Sequence, residues 1–297
     1  MVDLNGTKSR ISSVRSTLKI TSAMKMVASA ELVKAQKAIG NMLPYEAGTR
    51  HILTTLMKGI SHPLMQGHPV TEKVALVCFS SNQALCGAFN HNAIRLALET
   101  VREYEQAGIS VILYAAGRKM QEAFARAGYR CLDCSAMVAK PCYREASRLG
   151  AELMDGFLGG RFDRVELIYN HFASMSSQPV LRESFLPFAI PQDGDGIDRM
   201  ILGRSTGDAA PEDERDYIVE PDRRTLIGVL VPKVAALKMY AVLLDCVAAG
   251  HASRMVAMQY ATDNGENLLS ELSLDYNKAR QQKITNEILD LAGGSVR

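Results

Sequence analysis

The sequence predicts an α/β protein in which two long terminal helices pair as an antiparallel coiled coil and carry a Rossmann-like domain inserted between them. Three observations predict it. Apolar residues recur every seven positions from Leu4, a second helical stretch fills the C-terminal quarter, and between them short β-branched runs alternate with helical segments. The boundaries expected are 1–60 for the first helix, 70–190 for the α/β domain, 191–222 for an acidic loop and 223–297 for the second helix.

In the first helix, sevens counted from Leu4 give Leu4, Ile11, Leu18, Lys25, Leu32 and Ile39, with Thr7, Val14, Thr21, Ala28, Ala35 and Met42 between them. This spacing is that of a coiled-coil seam. No Gly or Pro lies between Thr7 and Ile39, and the repeat resumes at Leu53 and Leu56 beyond a kink expected at Pro44. A helix of about fifty residues is roughly 75 Å long, so a supercoiled partner is needed to cover it. The first thirty residues are rich in Ser, Lys and Arg, like an organelle transit peptide. The unbroken repeat past residue 35 favours structure.

The α/β domain follows. Residues 74–80, 110–115 and 164–170 read as strands, and 92–107, 118–127 and 143–156 as helices, which implies a parallel sheet. A strand-like step is read at Gly128, Tyr129 and Arg130. Residues 193–222 then hold ten acids against Arg199, Arg204 and Arg215, a local charge of −7 typical of a loop. The second helix spans 233–292 without Pro. Its apolar series is read through Leu237, Tyr240, Leu244, Val247, Met255, Met258, Leu268, Leu272, Ile284, Ile288 and Leu291, with a register slip near Asn264 and Gly265. Ala28, Ala35, Ala257, Ala261 and Ala279 are read as allowing close approach of the two helices.

Composition narrows the function. Thirty-four Lys and Arg against 32 Asp and Glu leave a net charge of +2 over 297 residues, too small for a polyanion binder. Trp is absent and aromatics make up 6%, so base-stacking platforms for nucleic acid are not expected. Six Cys in this length are too dilute for a disulfide scaffold. The most apolar stretch, 234–252, contains Lys238 and Asp245, each costing about 2.5–3.5 kcal/mol at a bilayer centre, so it is not expected to span.

No catalytic constellation stands out. The loop after the first strand, Ser80 to Asn90, lacks the glycine trio of a dinucleotide site, and no Walker-type loop is present. Cys131 and Cys134, with Cys142 nearby, lack a second ligand pair for zinc. The six His are scattered, and the serines at 174, 176 and 177 have no nucleophile elbow. No catalytic residue, metal ligand or cofactor site is assigned. The first forty residues carry seven bases against Asp3 and Glu31, a net +5. Function is therefore expected on the helices. The alternative is a nucleotide-binding or redox enzyme on the middle domain with a coiled-coil oligomerisation arm.

The segment Ile20-Thr21-Ser22-Ala23-Met24-Lys25-Met26-Val27-Ala28, the segment Arg254-Met255-Val256-Ala257-Met258 and the run from Asn277 to Glu287 closely resemble the gamma subunit of F-type ATP synthases. The likeness extends over the whole chain, although Asn82, Gln83 and Ala84 stand where that family usually has Asp-Arg-Gly. The resemblance implies a non-catalytic central rotor shaft. It transmits torque between a proton-driven proteolipid ring and a hexamer of alpha and beta subunits, with epsilon at its foot, on the cytoplasmic face of the bacterial membrane. It implies partner contacts at Met24 and Lys25, with Arg254, Gln281, Thr285 and Glu287 in the same zone. Ile288, Leu289 and Leu291 would sit in an apolar sleeve. Tyr217 and Glu220 would dock on the ring, Val219 replacing a frequent Tyr. The ending Gly293 to Arg297 departs from the family's usual one, and the acidic loop lacks the Cys pair of a plastid-type switch.

Overall fold

The computed structural model describes residues 4–57, 60–189 and 219–294, with side chains to residue 289. Tyr217 and almost all of the acidic loop lie outside the described residues. The chain divides into two compact units: Met1–Ser29 with Arg254–Arg297, and Ala30–Ser253. Helix α1 (Leu4–Leu56) belongs to both, as does α6 (Arg223–Gly294).

The larger unit holds β1 (Lys73–Phe79), α2 (Phe89–Gln106), β2 (Ser110–Ala116), α3 (Arg118–Arg126), β3 (Cys131–Asp133), α4 (Ser135–Ala139), α5 (Tyr143–Leu158), β4 (Arg164–Asn170) and β5 (Val180–Leu186). They form one sheet of order β3-β2-β1-β4-β5. β1 pairs in parallel with β2 and β4, and β2 with β3. The expected parallel sheet needs two corrections. The strand near residue 130 is Cys131–Asp133, and β5 adds an antiparallel edge that the helix–strand alternation did not announce.

β1 is buried from Val74 onward because both faces of the sheet are covered. Its even positions, Leu76 and Cys78, pack with Ala93, Ala97 and Val101 of α2 and Phe124 of α3. Its odd positions, Ala75, Val77 and Phe79, pack with Leu153 and Phe157 of α5, Met239 and Val242 of α6 and Leu53 and Leu56 of α1. A separate seam joins Leu32, Ala35, Ile39 and Met42 of α1 to Leu237, Ala241, Leu244, Ala248 and Ala252 of α6. At about 25 cal/mol per Å² of apolar area removed from water, this burial is the main stabilising term.

Among the described residues two prolines fall inside α-helices. α1 runs on through Pro44 and α6 through Pro232, so the expected kink does not end the first helix. α6 starts where Asp222 caps it, accepting hydrogen bonds from the Thr225 amide at 2.9 Å and the Thr225 hydroxyl at 2.7 Å.

The charges inside the apolar stretch of α6 explain why it belongs to a protein core. This helix is long and apolar enough to cross a membrane, with a mean hydropathy of 1.8 in its most apolar window. Yet Lys238 pairs with Glu183 of β5, and Asp245 accepts from the Phe172 amide at 2.9 Å and bonds His171 Nδ1 at 2.8 Å. Both charges tie the helix to β5 and to the turn before it. The loop after β1 is held from the same helix, since the Ser253 hydroxyl donates to the Cys86 carbonyl at 2.8 Å. Ser253→Ala is expected to cost about 0.5–1.5 kcal/mol in a urea titration, the net worth of one such bond.

Candidate functional site

In the smaller unit the two helices meet in a fixed antiparallel register. A glycine Cβ at Gly265 would lie 2.7 Å from Leu18 Cδ2, the hydroxyls of Thr21 and Thr262 are 2.9 Å apart, and Lys25 Nζ donates to Gln259 Oε1 at 2.6 Å. As one number rises the other falls, which defines antiparallel pairing. On α1, Thr7, Thr21 and Ala28 are buried, and Leu4, Ile11, Val14, Leu18 and Lys25 are half-buried, all at positions of the sevenfold count. The seam has a polar layer in its middle.

On α6 the seam runs through Met258, Thr262, Gly265, Leu269, Leu272, Tyr276 and Ala279, in steps of four and three residues. The expected slip near Asn264 and Gly265 is therefore absent. Hydrophobicity alone had pointed to Leu268, which is 46% exposed, because the true seam residues Thr262 and Gly265 are polar and small. Ala261 is exposed rather than in the seam, and Ala257 is half-buried. Close approach comes from Ala28, Gly265 and Ala279. A mid-helix Gly costs about 1 kcal/mol against Ala, and here the missing methyl makes room for Leu18.

The expected contact residues fall into two patches rather than one zone. Met24 and Lys25 are half-buried, Lys25 against Gln259, and Arg254 is 8% exposed. Gln281, Thr285, Glu287 and Ile288 begin 22 residues beyond Gln259, about 33 Å along a helix. Residue 281 would face a position ahead of Leu4, so α1 has no described residue left to cover α6 there. Residues 281–289 are all exposed, and Ile284, Ile288 and Leu289 present 47%, 59% and 62% of their surface. The Thr285 hydroxyl donates to the Gln281 carbonyl at 2.9 Å, and Glu287 lies 3.8 Å from Lys283 in an exposed pair that contributes little. Leu291 is within α6, its side chain outside the described set. Glu220 is exposed just ahead of the helix cap.

Several residues of this surface were not singled out from the sequence. Ile20, Met26 and Val27 are 59%, 64% and 64% exposed on the outer face of α1, as are Tyr260 and Leu274 on α6. The seven-residue spacing of Ile20 and Val27 was the available signal. Asp263 was also missed, and it accepts from Gln259 Nε2 at 2.6 Å, extending the polar layer.

The sheet offers less chemistry. At the end of β1 the Ser81 amide donates to Asn90 Oδ1, and Asn90 Nδ2 donates to Ser81 Oγ, so the loop that would cradle a phosphate satisfies itself. Gly117, with φ 129°, sits so close to the Ser80 carbonyl that no Cβ fits. Burial pushes the Cys134 thiol up to about 11 and Cys131 upward too, which suppresses the reactive thiolates of a redox pair. The cavity beside them is lined by Glu145, Arg148 and Glu152, already engaged in ion pairs. Among the described residues no group of three or more His, Cys, Asp or Glu could hold a metal ion.

Comparison with known proteins bears on the helices and the sheet together. The family described as ATP synthase matches residues 3–296. The ATP synthase gamma chain of Bacteroides thetaiotaomicron is 45% identical over 302 residues, and that of Phocaeicola vulgatus 46% over 301, each alignment covering 100% of both chains. Among solved structures, a chain of the Euglena gracilis mitochondrial ATP synthase with OSCP, F1 and c-ring aligns with a TM-score of 0.63. It is 16% identical and the alignment covers 99% of this chain and 93% of that one. A chain from the central stalk and c-ring of the Tetrahymena thermophila mitochondrial enzyme aligns at 0.57 with 22% identity, over 82% of this chain and 99% of that one. At such identities these structures speak for the fold.

Proposed function

The chain belongs to the ATP synthase gamma family, and from that premise we propose that its paired helices are the central rotor shaft turning between a proton-driven ring and a catalytic hexamer. The partners are alpha, beta and epsilon subunits and the proteolipid ring. The site of action is the cytoplasmic face of the bacterial membrane, held there through the ring. The chain itself performs no chemistry and needs no cofactor.

The observation that carries this reading is the end of α6, where residues 281–289 are exposed, Ile284, Ile288 and Leu289 among them, and no described residue of α1 lies opposite. Apolar side chains in that state call for a sleeve made by other subunits. Around it, Gln281, Thr285 and Glu287 offer hydrogen bonds that can be made and broken as the shaft turns. Met24 and Lys25, with Arg254 packed beneath the surface, form a second contact with beta about 33 Å away. Tyr217 and Glu220 dock on polar loops of the ring.

Such contacts couple only if their energy differs between rotor positions. One charge crossing 100 mV supplies about 2.3 kcal/mol, so several must be summed through the shaft before a nucleotide is released. Charge-assisted hydrogen bonds of about 1.5–3 kcal/mol each are of the size to be exchanged step by step.

The test is biochemical. A tagged chain is expected to bring down alpha and beta in equal amounts, each several-fold over itself, and the isolated chain to hydrolyse no ATP. Saturable nucleotide binding by the isolated chain, with no alpha or beta recovered, would return the enzyme reading instead.

A further inference from the structure

Lys25 occupies a place that a coiled coil rarely gives to a charge. Its position belongs to the same sevenfold series as Leu4, Ile11, Leu18, Leu32 and Ile39, so its alkyl stem fills a seam position. Its ammonium reaches Gln259 Oε1 at 2.6 Å, and Gln259 passes the contact on to Asp263 at 2.6 Å. Four residues earlier in the seam, Thr21 meets Thr262 at 2.9 Å, and Thr262 can in turn donate to the Met258 carbonyl at 2.9 Å. Every polar group of this layer finds its partner on α6 or in its own helix turn.

The competing arrangement is a second copy of α1. Thr21 and Thr262 are 241 residues apart in the chain, so at about 5–20 residues per second α1 waits about 10–50 s for its partner to be synthesised. During that time its seam of Leu, Ile, Val and Ala is complete and uncovered. In a parallel pair of α1 helices Lys25 would meet Lys25 across the seam, two like charges in contact. In an antiparallel pair it would meet the alternate series of Thr7, Val14, Thr21 and Ala28, which holds no carboxylate or carboxamide. Only α6 presents a carboxamide at that level, with the Asp263 carboxylate bonded to it.

We propose that Lys25, with Thr21 beside it, is a specificity-determining residue of helix pairing that bars α1 from pairing with α1 of a second chain and admits α6. The polar layer gives up some seam hydrophobicity to exclude a wrong partner. This role concerns the free chain and is independent of any contact that Lys25 makes in the assembled complex.

The test is refolding of the full chain from denaturant at about 1 to 100 μM, the range in which exposed apolar surface drives association. Wild type and Lys25→Arg are expected to return the same fraction of monomer at every concentration. Lys25→Leu is expected to lose at least about half its monomer yield at the top of that range, with dimers or larger species by light scattering. Its recovered monomer should melt no lower than wild type, because a leucine seam is intrinsically stronger. A yield loss equal at all concentrations, or a monomer that melts lower, would mark a simple folding defect and overturn the proposal. So would full monomer recovery by Lys25→Leu.

Discussion

Asp245→Ala is expected to destabilise the chain by about 2–5 kcal/mol in urea unfolding, a large share of the 5–15 kcal/mol that holds a typical domain together. Asp245 is 1% exposed in the middle of α6, and its two oxygens serve the Phe172 amide and His171 Nδ1. Truncation leaves two half-buried polar groups, the Phe172 amide and His171 Nδ1, without their partner, each at up to about 1–3 kcal/mol. Asp245→Asn retains an oxygen for the Phe172 amide and is expected to cost only about 1 kcal/mol. The pair therefore separates loss of the hydrogen bonds from loss of the charge.

The same two proteins make a pH experiment. Burial raises the Asp245 carboxyl above its ordinary range, although the His171 hydrogen bond and charge pull it back. A carboxyl whose pKa is raised on folding gives its full stability below the unfolded value near 3.9, and that stability is lost as pH climbs through the folded value. Asparagine does not titrate. The stability of Asp245→Asn relative to wild type should therefore improve as pH rises from about 4 toward neutrality. A difference that is flat, or that runs the other way, would show that the hydrogen bonds outweigh burial.

What the sequence disclosed depends on how each element is held. The first helix was legible because a hydrophobic seam every seven residues is a local property, readable from Leu4 to Met42 and again at Leu53 and Leu56. β1, β2 and β4 were legible as buried apolar runs. β5 was not, because an edge strand carrying Arg182, Glu183 and Ser184 has little apolar surface to display. Arg182 earns its place through contacts far away in sequence, to Glu166, Glu103 and the Tyr104 hydroxyl. The false slip at Gly265 has a related origin. A seam layer built from Thr262 and Gly265 is invisible to a search for hydrophobic residues, and only the opposing Thr21 and Leu18 reveal it. For the contact residues, the resemblance supplied the identities, whereas the register separated them into two patches along α6.

Met24→Lys is expected to weaken coupling in the assembled complex far more than assembly. Met24 is half-buried beside Lys25, whose ammonium is already engaged by Gln259. A lysine at position 24 would add a cation on that face with no partner of its own in the helix pair. Facing an acceptor on a surrounding subunit, it would gain a charge-assisted hydrogen bond of about 1.5–3 kcal/mol in one rotor position. Energy gained in one position must be returned when the shaft leaves it, so each turn meets an extra barrier of that size, a factor of about 10 to 100 in the slowed step. A shaft held back in this way uncouples where the hexamer releases its nucleotide before the ring has followed, so that part of the hydrolysis drives no pumping. ATP-driven proton pumping should thus fall more than ATP hydrolysis, while alpha and beta still co-purify in normal amounts. Met24→Leu, which keeps size and adds no charge, should behave as wild type. Equal pumping per ATP in Met24→Lys and wild type would remove Met24 from the contact surface and leave it as packing beside the seam.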